Sequence, residues 1–404
     1  MTDAHPRTAL VALAATLAIQ IFTSLTSAAP AVLAPAIAAD LAITPKWIGV
    51  FVGLIYSGAM LGSLVCGGFI AKFGAIRVSQ ACVLCCAAGI ASVALLPAAA
   101  VPLLVAAAFT MGIGYGPITA ASSEILIRTT PRERMALTFS IKQTGVPAGA
   151  ALAGAALPGL ALLLGWRGAF VAIAIVGIAV IVASEPTRKA LDRRHDPEAP
   201  FSFASVFGPL RMVLKSPPLL ELSLVGFAFS SVQVSLTSFL VIYLTEVLDW
   251  SLITAGLALT CATVSAVIGR VFWGVIADRW LPPTRALALI GALAAGSGIA
   301  MAFAAPAWPV WLILPLAALY GATAIGWNGV QLAELARRAP AGQAGAVTGA
   351  SGFVTFGGVV GGPLLFAGLA GLTGGYRASF LVCAAVSGVA AIVLTRRPVR
   401  HTSP

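Results

Sequence analysis

Twelve apolar runs, each near or above the ~20 residues a helix needs to cross a ~30 Å hydrocarbon core, occupy nearly all of this chain. They fall at roughly 9–39, 47–71, 77–96, 101–127, 135–163 and 168–185, and then at 218–247, 252–277, 285–305, 308–335, 344–372 and 377–395. Such a sequence has few folds open to it. In lipid every backbone N–H and C=O must be paired within the protein, which leaves helices or closed barrels. Unbroken apolar runs of this length are helices. The chain is 59% hydrophobic and 9% charged, where a soluble domain carries about 25% charged residues. It cannot cover a water-facing surface. The 42 glycines suit membrane helices that pack backbone to backbone. The expectation is an all-α membrane protein with 12 transmembrane helices.

The net charge of +11 is a topology signal. With the N-terminus cytoplasmic, 19 of the 24 cations fall in inside segments. Only Lys46, Arg167 and Arg377 lie outside, and Lys142 and Arg270 lie within apolar runs. The positive-inside rule then places both termini in the cytoplasm. Cations scattered over short loops are no nucleic-acid stripe. The six cysteines, Cys66, Cys82, Cys85, Cys86, Cys261 and Cys383, all lie in apolar runs and read as packing residues, with no metal-ligand spacing. Ser27-Ala28-Ala29 mimics a signal-peptidase site, but the run continues past it and is expected to stay as a helix.

The chain repeats itself. Gly165-Trp166-Arg167-Gly168-Ala169-Phe170 returns as Gly375-Tyr376-Arg377-Ala378-Ser379-Phe380, and Glu124 with Arg128 returns as Glu334 with Arg338, both at an offset of 210. Gly67 and Ala71-Lys72 match Gly274 and Asp278-Arg279 at an offset of 207. These landmarks give a tandem duplication with an even number of spans per copy, hence parallel repeats. The expected organisation is an N-terminal six-helix bundle at 1–185, a cytoplasmic linker at 186–217 with a short amphipathic helix around Phe201–Leu214, and a C-terminal six-helix bundle at 218–404.

Those motifs carry a resemblance. The stretch Gly274-Val275-Ile276-Ala277-Asp278-Arg279 is similar to the GxxxDRxG loop motif of the major facilitator superfamily. The first copy, Gly67-Gly68-Phe69-Ile70-Ala71-Lys72-Phe73-Gly74 followed by Arg77, has lost the aspartate to Ala71. The GWRxxF turn and Ser140-Ile141-Lys142-Gln143-Thr144-Gly145-Val146-Pro147 also resemble elements of that family. The resemblance implies two pseudo-symmetric six-helix bundles around a midplane site, lined by helices 1, 4, 7 and 10 with contributions from 2, 5, 8 and 11. It further implies gating by Lys72, Arg77, Asp278, Arg279 and the pairs Glu124/Arg128 and Glu334/Arg338.

Arg270 and Lys142 are the sharpest site candidates. Arg270 lies eight residues from Asp278, about 12 Å along a helix and so near the middle of a ~30 Å core. Lys142 lies as far from Arg134. An intramembrane cation costs about 2.5–3.5 kcal/mol at a helix centre on insertion scales, and such residues face a cavity or a partner. No acid in the same runs is placed at that depth, so the expected cavity is positive. Arginine's fork takes a carboxylate bidentately, and lysine adds a movable charge. The GRxxxG spacing is also similar to organic-anion and monocarboxylate members of the family. Gln20, Gln233 and Asn328, with Tyr115 and Gln331, supply hydrogen-bonding groups on the cavity helices. Trp47, Trp250, Trp308 and Tyr243 read as interface anchors. His5, His195 and His401 all fall in tails or the linker and offer no buried proton relay.

The reading is a secondary transporter of the bacterial inner membrane that moves a small organic anion by alternating access. It is expected to be a monomer in the bilayer, with a co-transported proton as partner and no cofactor, metal or enzymatic activity. The alternatives are a multidrug or metabolite efflux porter of the same fold, and a membrane sensor that has lost transport.

Overall fold

The computed structural model describes residues 6–41, 46–95, 97, 101–192, 198 and 203–396. His5, His195, His401, Arg193, Arg194, Arg397 and Arg400 lie outside them, as do the side chains of Lys46 and Trp47. The described residues are almost entirely helical, with no strand among them. The helices are α1 (Pro6–Val32), α2 (Ala34–Leu41), α3 (Lys46–Phe73), α4 (Ala75–Leu95), α5 (Val101–Tyr115), α6 (Pro117–Thr129), α7 (Met135–Gln143) and α8 (Gly145–Leu191). They continue as α9 (Phe203–Lys215), α10 (Pro217–Val247), α11 (Leu252–Arg279), α12 (Pro283–Ala302), α13 (Val310–Ala324), α14 (Asn328–Arg338), α15 (Ala344–Thr373) and α16 (Arg377–Thr395).

Eleven segments of the described residues are long and apolar enough to cross a membrane, and one of them, Arg132–Leu191, is 60 residues long. At 1.5 Å per residue it would reach about 90 Å, three times a bilayer core. Gly165 resolves the excess: it adopts φ 71° and ψ 164° inside α8 and turns the chain there. Only glycine takes that backbone conformation without strain. The segment is therefore two crossings, and the expected twelve are present.

Four of the expected continuous runs are broken. α1 gives way to α2 at Leu33, ahead of Pro35, and α5 to α6 at Gly116, ahead of Pro117. α7 ends at Gln143, four residues before Pro147. Proline lacks the N–H for the bond to residue i−4 and its ring crowds that carbonyl. α13 and α14 are separated by Ile325–Trp327 with no proline nearby. Gly116 and Gly326 stand 210 apart, so helices 4 and 10 are interrupted at equivalent positions of the duplication.

The chain gathers into two compact units: Met1–Pro131, Lys142–Ser216 and Leu335–Phe356 in one, Arg132–Ile141, Pro217–Glu334 and Gly357–Pro404 in the other. In the first unit α1 and α4 pack along α8, and α3 along α5. In the second, α12 packs on α16 and α11 on α13. The α3–α5 and α11–α13 contacts use the same device. A methyl group added at Gly112 would collide with the Ile55 carbonyl, and one at Gly321 with that of Ala262. Tyr243 corrects an expectation. It is buried rather than an interface anchor, its hydroxyl donating to the Met301 carbonyl (2.7 Å) and its ring edge-on to Phe380.

Candidate solute site and end caps

The break in helix 10 leaves α13 with unpaired carbonyls in its last turn, as any helix end must. α11 lies alongside and answers them. Arg270, 2% exposed, donates from Nε to the Ile325 carbonyl (3.3 Å), and Trp273 donates from Nε1 to that of Ala322 (3.0 Å). Asn328 Nδ2 reaches the same Ile325 oxygen (3.2 Å) and also Gln233 Oε1 (3.2 Å). Three of the residues singled out from sequence, Arg270, Asn328 and Gln233, thus converge on one interrupted turn. Asn328 and Gln233 are half-buried. The indole N–H of Trp327, inside the break, is buried with no hydrogen-bond partner among the described residues.

Lys142 occupies the matching situation in the other unit. It sits in the last turn of α7, just before the Thr144 interruption, and is 1% exposed. Its ammonium donates to Gln20 Oε1 (2.7 Å) and Gln143 Oε1 (3.0 Å). Gln20 in turn donates to Ser24 Oγ (3.2 Å). Gln143 was not singled out from sequence; its signal was adjacency to Lys142. Tyr115 stands in an aromatic trio, edge-on to Tyr56 and to Phe356 at ring separations of 6.3 and 6.2 Å. Gln331 is buried and donates to the Leu222 carbonyl (3.1 Å), which ties α14 to α10.

The loop-motif residues form caps. Asp278, at the end of α11, accepts the N–H groups of Ala136 (2.9 Å) and Leu137 (2.8 Å) in the first turn of α7. A carboxylate there satisfies two orphan donors and meets the positive end of the helix dipole. In the other unit the equivalent helix start, α15, is capped by Glu124, whose Oε2 accepts the Gly345 N–H (2.8 Å). Glu124 is also paired with Arg128 (3.7 Å), whose guanidinium reaches the carbonyls of Glu124 and Leu191. Arg279 is exposed, and Lys72 lies half-buried with its ammonium over the Phe73 ring at 5.9 Å. Glu334 is buried and Arg338 half-buried on α14.

Arg77 engages partners the sequence did not suggest. It hydrogen-bonds Gln80 Oε1 (3.0 Å) and pairs with Glu185 (3.5 Å). Its own N–H and that of Ile76 are taken by Asp192, which caps α4. At the opposite ends of the helices, the repeated turn motif finds its use. In one unit Asp40 accepts from both Trp166 Nε1 (3.2 Å) and Arg167. The hydrogen bond from Arg167, and then that from Trp166, hold the Asp40 carboxyl below its ordinary value. In the other unit the Tyr376 hydroxyl donates to Glu246 (2.7 Å), and this bond pushes the phenol upward.

Twelve helical crossings among the described residues, duplicated and interrupted at matched positions, define a membrane transporter architecture. The sequence matches the Major Facilitator Superfamily over residues 16–363, and the chain belongs to that family. Similar solved structures include the human organic anion transporter MFSD10 (TETRAN), with a TM-score of 0.73, 19% identity, and coverage of 96% of this chain and 98% of that one. The E. coli fucose:proton symporter FucP gives a TM-score of 0.73 at 15% identity, covering 96% and 100%. A bacterial homologue of the iron transporter ferroportin gives 0.71 at 16%, covering 95% and 97%. No curated protein shows a significant match to the sequence. Members of this family are transporters, and this chain is a multi-pass membrane protein of that kind.

Proposed function

We propose that the protein carries a small organic anion, a carboxylate, across the bacterial inner membrane by alternating access, as a monomer with both termini cytoplasmic. The observation that carries this reading is the burial of Arg270 and Lys142 at helix interruptions, where each is hydrogen-bonded to neutral oxygens, the Ile325 carbonyl and the Gln20 and Gln143 amides. A carboxylate can take the place of such an acceptor and adds a charge-assisted bond. Interrupted helices near the midplane are where transporters of this type hold solute and coupling ions. Gln233 and Asn328 shape the pocket beside Arg270, and Gln20 beside Lys142. Two sequence halves, 1–185 and 218–404, act as the moving bodies about the 186–217 linker. The Asp278 and Glu124 caps hold one state of the cycle. A proton enters with the solute, through the solute's own carboxyl or through Glu124 or Glu334.

The similar structures are named as an organic anion transporter, a fucose:proton symporter and a homologue of an iron transporter. That spread leaves the choice to the residues of this site. The test is counterflow of a labelled carboxylate panel in proteoliposomes. Arg270→Ala is expected to abolish counterflow while its thermal unfolding stays near that of the parent protein. Arg270→Lys keeps the charge without the fork and retains part of the activity. A folded Arg270→Ala protein with unchanged counterflow would sink the anion reading. The Nε bond to Ile325 favours a second reading, an efflux porter in which Arg270 only braces the broken helix. Drug susceptibility of a deletion strain, with carboxylate counterflow absent, would point there.

A further inference from the structure

The first unit carries a groove that the solute site does not use. It runs between α3 and α4 and ends against the α5–α6 junction, with a volume of about 390 Å³. Its walls are Val65, Phe69, Phe73, Cys82, Cys85 and Ile113, with Arg77 as the charged lining residue. From Gly62 to Phe73 the α3 wall spans twelve residues, about 16 Å at helical rise. That is one leaflet, half of a ~30 Å core. The deep end is closed by Ile113 and Pro117, and the shallow end opens where α3 turns into α4, at Phe73 and Arg77.

We infer that this groove is a binding site for an anionic phospholipid, with one acyl chain between α3 and α4 and the headgroup phosphate at Arg77. Three features select that occupant. Below Arg77 the walls are carbon and sulfur, so a small polar carboxylate finds no donor in the depth of the groove. The length fits a chain that stops at the bilayer midplane. The mouth is cationic: Arg77 is half-exposed, Lys72 lies over the Phe73 ring, and Arg188 stands close by on Glu185. The carboxylates near the mouth are already engaged. Glu185 is bound by Gln80 (2.9 Å) and Arg188 (2.8 Å) as well as by Arg77, and Asp192 is spent on the backbone of α4. Phe69 and Phe73, stacked at 6.2 Å and exposed, flank the entry. With the proposed topology the mouth faces the cytoplasmic leaflet, where anionic lipids attract basic segments next to the membrane.

The test uses the full chain, purified and delipidated, titrated with phosphatidylglycerol, phosphatidylcholine or glycerol phosphate and followed by native mass spectrometry. One basic side chain at the surface makes phosphatidylglycerol bind about fivefold tighter than phosphatidylcholine. Arg77→Gln removes that preference and leaves phosphatidylcholine binding unchanged. Ala81→Trp, which projects a ring into the groove from an exposed position, weakens both lipids. In the unmutated protein, alkylation of Cys85 slows as phosphatidylglycerol is added and is unaffected by glycerol phosphate. Equal binding of the two lipids, a preference that survives Arg77→Gln, or Cys85 alkylation indifferent to lipid would each overturn the inference. Carboxylate counterflow, measured in parallel, reports separately on the solute site.

Discussion

Ala71 stands where the second copy of the loop motif has Asp278, and another helix makes good the difference. Gly67 and Gly274 both press on the partner helix start: a Cβ at Gly67 would meet Ala346 Cα at 3.0 Å, and one at Gly274 would meet Leu137 Cα at 2.9 Å. The packing is therefore kept in both copies, and the missing item is only the carboxylate. Glu124, one helix away, supplies it to Gly345. Losing a cap of this kind costs about 1 kcal/mol, so Glu124→Ala should lower the apparent Tm by on the order of 2 °C. Adding Ala71→Asp in that background should recover part of the loss. In the parent background the same Ala71→Asp change should give nothing or destabilise, because two carboxylates would then crowd one helix start. Recovery absent from the double variant would show that position 71 no longer faces α15. Asp40 offers a pH test of the opposite helix ends. Its pKa is depressed in the fold, so its contribution is present above the unfolded value and lost as pH falls through the folded one. The Tm gap between the parent and Asp40→Asn should thus be constant near neutrality and close below about pH 4. Tyr376 is raised instead, so its bond to Glu246 contributes below about pH 10 and fails only above it. A gap for Asp40→Asn that ignores pH would mean the Arg167 contact does not hold charge.

At the scale of elements, the spans were legible in the sequence because hydrocarbon leaves helices few alternatives, and the 210 offset showed the duplication directly. The interruptions were not read from the apolar runs. Pro35, Pro117 and Pro147 explain three of them afterwards, whereas the Ile325–Trp327 break has no local residue that enforces it. It is held from outside, by Arg270 and Trp273 of α11 taking the freed carbonyls. A contact 55 residues distant leaves no trace in periodicity. Arg270, Gln233 and Asn328 could be named from residue type and depth, but that Arg270 and Asn328 share the Ile325 carbonyl while Gln233 accepts from Asn328 could not. Asp192 and Glu185 were missed for a related reason: α8 runs on to Leu191, past the end of its apolar pattern. Helix spacing gives the element-scale prediction. Gly321→Ala must push α13 off the Ala262 carbonyl and should cost about 1–3 kcal/mol, with counterflow reduced. Gly296→Ala on α12 meets nothing within 4 Å and should be neutral or stabilising by up to about 1 kcal/mol. Equal effects of the two substitutions on thermal unfolding would mean that the close α11–α13 approach is not what holds the break.

The whole molecule repeats one arrangement with different parts. Each compact unit contains a short piece from the other sequence half, 132–141 in one and 335–356 in the other, and each piece begins the helix that a carboxylate caps. Asp278 does this for α7 and Glu124 for α15. Helix starts held by side chains from a different element open at a modest free-energy cost, so they suit the change of state that the proposed alternating access requires. If both caps belong to the same state, they must be lost together. Hydrogen exchange should then show the amides of Ala136, Leu137 and Gly345 speeding up in concert when a transported solute drives turnover. Asp278→Ala removes the carboxylate and leaves both N–H groups without it. At about 1 kcal/mol for the cap, it should raise the open population about fivefold at Ala136 and Leu137. Gly345 should follow although its own cap is intact, because one equilibrium governs both. Faster exchange confined to residues 136–137, with Gly345 unchanged, would show two independent frayed ends instead of one switch. The alternating-access reading would then need a different latch.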